Sequence, residues 1–340
     1  MYIFMAKRIT IKDIAKELSI HHSTVSRALR NDSRVKEKTR KQVLDLAKSY
    51  GYRVNMNALQ LRGNINNTIA LIVPNIRHTF FTNIISYITN LAHSQGFVIS
   101  VFESNENYKQ EQEIINTIIQ YNFSGVIASI AKNTMNSDHF RLLAKYAIPL
   151  VFFDRVCEDM DTPKVMVNNY ESAFMATEIL INKGYLRVGH ITGPIHLNVF
   201  RDRQKGYIEA LTKHKIGYQN HLIINREFSI DEGKTGLLRL LDNPEKPDAI
   251  LSSSYLLSIG ILVKAKELEL NIPDDLALIG FGDIQFEEII EPGITSIIQP
   301  EDEIAQNCFN LTLQLIKKER QLDHSYIKKV KTTLVERNSI

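Results

Sequence analysis

From Ile69 to Phe281, short apolar runs alternate with stretches whose apolar residues recur at helical spacing. That alternation limits this part of the chain to a parallel α/β architecture. The first series runs IALIV (Ile69 to Val73), FVISVF (Phe97 to Phe102), GVIASI from Gly125, IPLVFFD from Ile148, and a short segment from Val165 to Val167. The second runs RVGHIT from Arg187, LIIN from Leu222, AILSSS from Ala249 and LALIGF from Leu276. Uninterrupted apolar runs of this kind are expected as strands buried on both faces. Between them, sets such as Ile114, Ile115, Ile118 and Ile119 mark covering helices, and Pro149 marks a helix-to-strand junction. Two such series in tandem predict two doubly wound lobes. The final stretch, TSIIQP from Thr295, a helix from Glu301 to Lys318 and one strand near Lys329 to Val335, is expected to cross back between them. Ligands in such folds bind beyond the carboxyl ends of the strands, so a cleft between lobes is the default site.

Ahead of these runs, Thr10 to Tyr52 reads as three short helices. In the first, Ile11, Ile14, Ala15 and Leu18 share one face, and Thr10 with Asp13 forms a capping box at its start. After a turn around Ser19 to His21, a second helix from His22 to Arg30 buries Val25, Ala28 and Leu29 and turns His22, Ser23, Ser26, Arg27 and Arg30 outward. A third, from about Lys36 to Tyr50, carries Val43, Leu46, Ala47 and Tyr50 on one face, with Gly51 placed to stop it. The arrangement is that of a helix-turn-helix with a supporting helix.

Charge sets this end apart. Residues 1–62 carry 14 Lys and Arg against 5 Asp and Glu, whereas the whole chain carries 41 against 38, so the remainder is acidic. A charge run alone is more often a solvated face, but its coincidence with a helix-turn-helix pattern points to double-stranded DNA, where phosphate contacts release counterions.

Composition excludes several classes. At 340 residues and 44% hydrophobic, the chain is long enough for two or three cored units. No apolar run approaches the roughly 20 residues of a spanning helix, and no signal-peptide pattern opens the chain, so a cytoplasmic location without membrane contact is expected. Met5 offers an alternative start to Met1. Cys157 and Cys308 have no close pairing, which fits a reducing compartment and neither a disulfide framework nor a metal site. Gly280-Phe281-Gly282 begins like a dinucleotide fingerprint, but Gln285 stands where the third Gly belongs. No phosphate-binding Lys loop is present, and Cys157 has no neighbouring His base, so neither an enzyme nor a cofactor is expected.

The blocks TIKDIAKELSIHHSTVSRAL, VKEKTRKQV, GYRVN, IALIVPNI, FDRV, RQKGY and IPDDLALIGFGD to TSIIQP resemble, in order, the lactose-repressor and galactose-repressor family of bacterial regulators. The resemblance implies a helix-turn-helix domain over 8–54, a hinge over 55–66, and a periplasmic-binding-protein-like core over 67–340. Within the core it implies lobe 1 at about 67–166 and 296–325, and lobe 2 at about 167–295 and 326–340. It also implies a homodimer on a palindromic operator, with a small-molecule effector, a sugar or sugar derivative, in each cleft.

The resemblance further implies that His22, Ser23 and Arg27 face base edges, with Arg27 able to bond guanine bidentately. Thr24 and Ser26 suit phosphates, and Arg30, Asn31 and Arg62 complete the DNA-facing set. His21 stands where the family usually has Ser, and His caps helices less well. Leu61 matches a leucine that wedges into the minor groove, although a linker or core role is open to it. Val54 replaces a frequent Pro ahead of the hinge. The implied effector contacts are Phe80, Phe81, Asp154, Arg155, Asn168, Arg203, Phe228, Tyr255 and Asp283. The three Phe suit core packing equally well, and Asp154 could cap a turn. Asn168 and Tyr255 each replace a frequent Asp, which favours a modified or larger carbohydrate over a plain hexose. A carbohydrate-binding receptor without sequence-specific DNA reading is the alternative, but it leaves the basic end without a role.

Overall fold

A computed structural model describes residues 9–29, 31–50, 52, 67–282, 290–318 and 326–340. The chain divides into two compact units, Met1–Ile65 and Asn66–Ile340. The hinge expected over 55–66 lies outside the described residues.

In the first unit, α1 (Ile11–Glu17) starts on the expected capping box. Thr10 Oγ1 accepts the Asp13 N–H at 3.4 Å, and the Asp13 carboxylate accepts the Thr10 N–H at 2.8 Å. A left-handed Ser19 turns the chain into α2 (His22–Leu29), and α3 (Glu37–Ser49) closes the trio. Ile14, Val25 and Val43, one from each helix, are fully enclosed in a common core with Ala15, Ala28, Val35 and Ala47. Burying each large side chain contributes about 1.5–3 kcal/mol before entropy is counted. The Arg40 guanidinium, donating to the carbonyls of Asp32 and Val35 at 3.3 Å each, straps the α2–α3 connection. Tyr50, read from spacing as a core residue, is 40% exposed because it caps α3. Tyr52 packs on the core instead, its N–H donating to Ala47 O.

The second unit contains two six-stranded sheets. The first, in spatial order, is β2 (Val98–Glu103), β1 (Thr68–Val73), β3 (Gly125–Ala128), β4 (Leu150–Phe153), β5 (Lys164–Val167) and β11 (Ile327–Val330). The second is β7 (Ile223–Asn225), β6 (Val188–Thr192), β8 (Ala249–Ser252), β9 (Ala277–Phe281), β10 (Thr295–Ile298) and β12 (Thr333–Val335). Among the described residues, all pairings are parallel except β10 with β12. Each sheet reverses its strand order beside its first strand, so each lobe has a switch point between β1 and β3 or between β6 and β8.

Covering helices of lobe 1 are α4 (Thr79–Ser94), α5 (Tyr108–Gln120), α6 (Asp138–Lys145) and α11 (Glu301–Lys317). Those of lobe 2 are α7 (Asn169–Asn182), α8 (Asn198–Lys213), α9 (Ile230–Leu241) and α10 (Tyr255–Glu267). Successive strand residues feed opposite faces, as a two-residue period demands: Ile69, Leu71 and Val73 pack under α4 and α11, whereas Ala70 and Ile72 pack under α5 and α6. Helices approach closely where glycines meet. A Cβ on Gly260 of α10 would lie 2.1 Å from the Ile230 carbonyl of α9.

Three expectations about this unit change. FVISVF is not buried on both faces: β2 is the edge of its sheet, with Val98 62% and Val101 41% exposed. The single strand expected near Lys329 to Val335 is two strands in different sheets, split at Lys331 and Thr332. As a result 327–330 belongs to lobe 1 rather than lobe 2, and β10 holds residues up to Ile298 in lobe 2 rather than lobe 1. Strands this short, polar and half-exposed carry too little pattern to show where one stops.

Candidate functional site

The first unit presents a polar ridge along α2. His22, Ser23 and Thr24 are half-buried, and Arg27 is exposed and bonded to no other described side chain. Ser26 departs from expectation: it is 8% exposed, because it flanks the Val25 and Leu29 edge and is small enough to be covered there. It is not part of the outward face. Asn31 has φ 58° and ends α2, its N–H donating to Ala28 O, which is a turn role. Arg30, Leu61 and Arg62 lie outside the described residues. His21 proves to be a working cap: its Nδ1 accepts the Ser23 N–H at 3.3 Å and lies 2.8 Å from Ser23 Oγ.

In the second unit, the carboxyl ends of β1, β4, β8 and β9 converge on one cavity. Phe80, Phe81, Asp154, Arg155, Arg203, Phe228 and Tyr255, all anticipated from sequence, line it together. Asn168 does not. Its side chain caps α7, accepting the Glu171 N–H at 3.4 Å, while the neighbouring Asn169 takes the Arg203 Nε–H at 2.8 Å. Asp283 lies outside the described residues.

Two arginines dominate the cavity. Arg203 is 5% exposed, donates to Ser253 O at 2.6 Å and lies 4.1 Å from the Phe281 ring centroid. Burial lowers its pKa to about 10. Arg155 is held by both carboxylate oxygens of Glu106 at 2.9 Å and lies over Phe228 at 4.8 Å. Asp154 lies 3.9 Å from Arg155 Nε. Its burial outweighs the pull of both guanidiniums and raises its pKa above the usual carboxylate range. Glu106 and Asp154 both adopt φ 57°, a conformation that costs on the order of 1 kcal/mol in a residue other than Gly. The fold holds Asp154 in place through its N–H to Val165 O and its carbonyl to Asn198 Nδ2.

Sequence reasoning missed His78, Glu106, Asn169, Ser254 and Gln299. Among the described residues, three of these leave a buried hydrogen-bonding atom without a partner: His78 Nδ1, Ser254 Oγ and Gln299 Nε2. Such atoms cost about 1–3 kcal/mol each when unsatisfied. Burial, reinforced by Arg155 and Arg203, lowers the His78 pKa to about 3 and keeps the ring neutral.

The cavity is about 50 Å³, one or two water volumes. A wall of His78, Phe81, Phe228 and Tyr255 separates it from an outer cavity of about 360 Å³. Lys132 of lobe 1 spans the outer cavity to Glu227 of lobe 2 at 2.6 Å. The loop carrying Lys132 is fixed from below by the fully buried Glu111, which accepts from Ala131 N and Thr134 Oγ1 and pairs with His139 Nε2. Cys157 is no nucleophile, because burial pushes its thiol up to about 12. Among the described residues, no helix is long and apolar enough to cross a membrane, and no cluster suits a metal ion.

Residues 10–55 match the bacterial regulatory proteins of the lacI family, and residues 177–340 match a periplasmic binding protein-like domain. The chain is 30% identical over 304 residues to the HTH-type transcriptional repressor CytR of Escherichia coli (strain K12), covering 89% of each protein. It is 28% identical to catabolite control protein A of Priestia megaterium, across 92% of this chain and 93% of that protein. The fold is similar to that of the lac repressor dimer bound to operator and the anti-inducer ONPF, with a TM-score of 0.86, 20% identity, and coverage of 98% of this chain and 99% of that one.

Proposed function

The chain belongs to the lacI family of bacterial regulatory proteins, a DNA-binding transcriptional regulator under small-molecule control rather than an enzyme, and from that premise we propose that it is a repressor acting as a cytoplasmic homodimer. In this reading Arg27, His22 and Ser23 of α2 read base edges of a palindromic operator, with Thr24, Arg30 and Arg62 on the backbone and Leu61 in the minor groove. The cleft takes a neutral, polyhydroxylated effector, a sugar or sugar derivative. The observation that carries the effector reading is the convergence of three buried, unpartnered atoms, His78 Nδ1, Ser254 Oγ and Gln299 Nε2, with Asp154 and Arg203 around stacked rings. Hydroxyls supply both donors and acceptors to such a set, and a ring face suits the phenyl groups.

A guest of sugar size exceeds the room in the inner cavity, so it has to displace the His78–Tyr255 wall and part the lobes. Binding is then coupled to lobe geometry through its differential affinity for the two arrangements. The exposed edge strand β2 supports self-association through lobe 1.

The test is selection of bound duplexes from a random pool by the full chain at near-physiological salt. A recovered palindrome whose half-sites hold guanine at the Arg27 position supports the reading. Uniform, salt-sensitive binding without sequence preference would contradict it.

A further inference from the structure

His21 occupies the cap position of α2, one residue before the helix, and does more there than cap. Its Nδ1 lies within reach of two donors, the Ser23 N–H at 3.3 Å and Ser23 Oγ at 2.8 Å. An imidazole nitrogen that accepts a backbone N–H carries no proton of its own, so the ring is the Nε2–H tautomer. The Ser23 hydroxyl must then donate its proton to the same lone pair. The His22 ring, centred 4.1 Å from the His21 ring and tilted 41° to it, packs on the imidazole and limits its rotation.

We infer that His21 is a positioning residue for sequence reading: by taking the Ser23 hydroxyl proton it leaves Ser23 able only to accept hydrogen bonds from DNA. This rests on the proposed placement of Ser23 at a base edge. A serine hydroxyl ordinarily both donates and accepts, so it discriminates poorly between bases. Held as an acceptor, it selects bases that present an amino group in the major groove, N6 of adenine or N4 of cytosine, over thymine O4 or guanine O6 and N7. A serine at position 21 would cap equally well but could rotate its own hydroxyl either way, and would not impose this polarity.

The experiment repeats the selection from random duplexes with the full-length wild-type protein, His21→Ala, His21→Asn and Ser23→Ala, alongside ¹⁵N NMR of the histidine-labelled full chain at pH 8. Wild type enriches adenine or cytosine at one half-site position by on the order of tenfold, the scale of one hydrogen bond. His21→Ala and Ser23→Ala level that position while guanine at the Arg27 position persists. His21→Asn, whose side-chain oxygen accepts both donors, restores the preference. In the NMR spectrum of the wild type, the His21 resonances, identified by their loss in His21→Ala, show a proton on Nε2 and a hydrogen-bond acceptor at Nδ1. An unchanged preference in His21→Ala, equal behaviour of His21→Asn and His21→Ala, or a proton on Nδ1 would overturn the inference. If no duplex is enriched by any form, the DNA-reading assignment itself has failed, and the tautomer measurement still decides the His21–Ser23 bond.

Discussion

The α2 ridge of the first unit and the cavity of the second both leave polar atoms without protein partners, at very different energetic cost. On α2 the free groups stand in water, which satisfies them, so an unbonded Arg27 costs nothing until DNA replaces the solvent. In the cavity, His78 Nδ1, Ser254 Oγ and Gln299 Nε2 are shut away from water, and each missing bond is a standing debit against folding. The ridge draws on long-range charge and keeps specificity in a few side chains. The cavity stores unsatisfied hydrogen-bonding capacity that a matching ligand releases. A surface for a polyanion can therefore be built locally on one helix, whereas a pocket for a small polar guest needs many segments to agree.

Changes in the cavity should shift stability, down or up, and changes on the ridge should not. The largest effect is expected from Arg203→Ala, which leaves the Asn169 side-chain oxygen and the Ser253 carbonyl without their donor in a buried site. A loss of about 2–5 kcal/mol is expected from the two orphaned acceptors, read as a lower urea midpoint of the second unit's transition. Arg27→Ala should leave both midpoints unmoved.

Acid is the next lever. His78, with a pKa of about 3, and His190, stacked on Tyr207 and lowered to about 4, stay neutral when folded and take a proton near the ordinary 6.5 when unfolded. Their contribution is whole above that value and is lost as pH falls toward the folded values, about 2 kcal/mol per histidine by pH 5. Asp154, raised by burial, works in the opposite sense. Denaturant titrations at pH 7.5 and pH 5 should therefore show a loss on acidification, and His78→Gln should remove about half of the histidine part.

A paired change sharpens the comparison. Ser254→Ala deletes an unsatisfied buried hydroxyl and should stabilise the protein, by up to about 1 kcal/mol, while weakening retention of a carbohydrate. Ser23→Ala should change stability little and alter DNA preference alone. Thermal unfolding of the two variants side by side checks this, and destabilisation by Ser254→Ala would break the contrast.

The smallest effect belongs to Lys132→Ala. Its partner Glu227 is 54% exposed on the side chain, and solvent screens the pair, so stability should fall by less than about 1 kcal/mol. Because the pair bridges the lobes, its loss should appear instead as a larger radius of gyration in solution scattering. Unchanged scattering would leave the pair without a role in closing the cleft.

Much of the molecule is legible in its amino-acid sequence, for reasons that differ by region. Helix α2 and its companions announce themselves through local period and charge, and β1, β3, β4, β6, β8 and β9 through apolar runs that only doubly buried strands need. The cleft is legible where charged residues close a strand, as with Asp154 and Arg155 after β4, whereas Arg203, inside α8, is legible only through the family resemblance. His78, Glu106 and Gln299 are not: His78 and Gln299 line the cavity and Glu106 holds Arg155 from behind, from three separate loops with no period linking them. Asn168 and Asn169 differ by one position at a helix start, and only the helix's actual phase decides which one caps and which one meets Arg203. Ser26 misleads for the converse reason: a small residue beside an apolar face is covered or not according to packing that the helix does not itself encode.

The most direct measurement of the division of labour is the affinity of the full chain for its selected operator and for an unrelated duplex, in wild type and Arg27→Ala, at one fixed salt concentration. A bidentate guanine contact predicts a loss of about 1–3 kcal/mol on the operator and little change on the unrelated duplex. Equal losses on both would mean that Arg27 contributes only charge and that α2 does not read sequence through it.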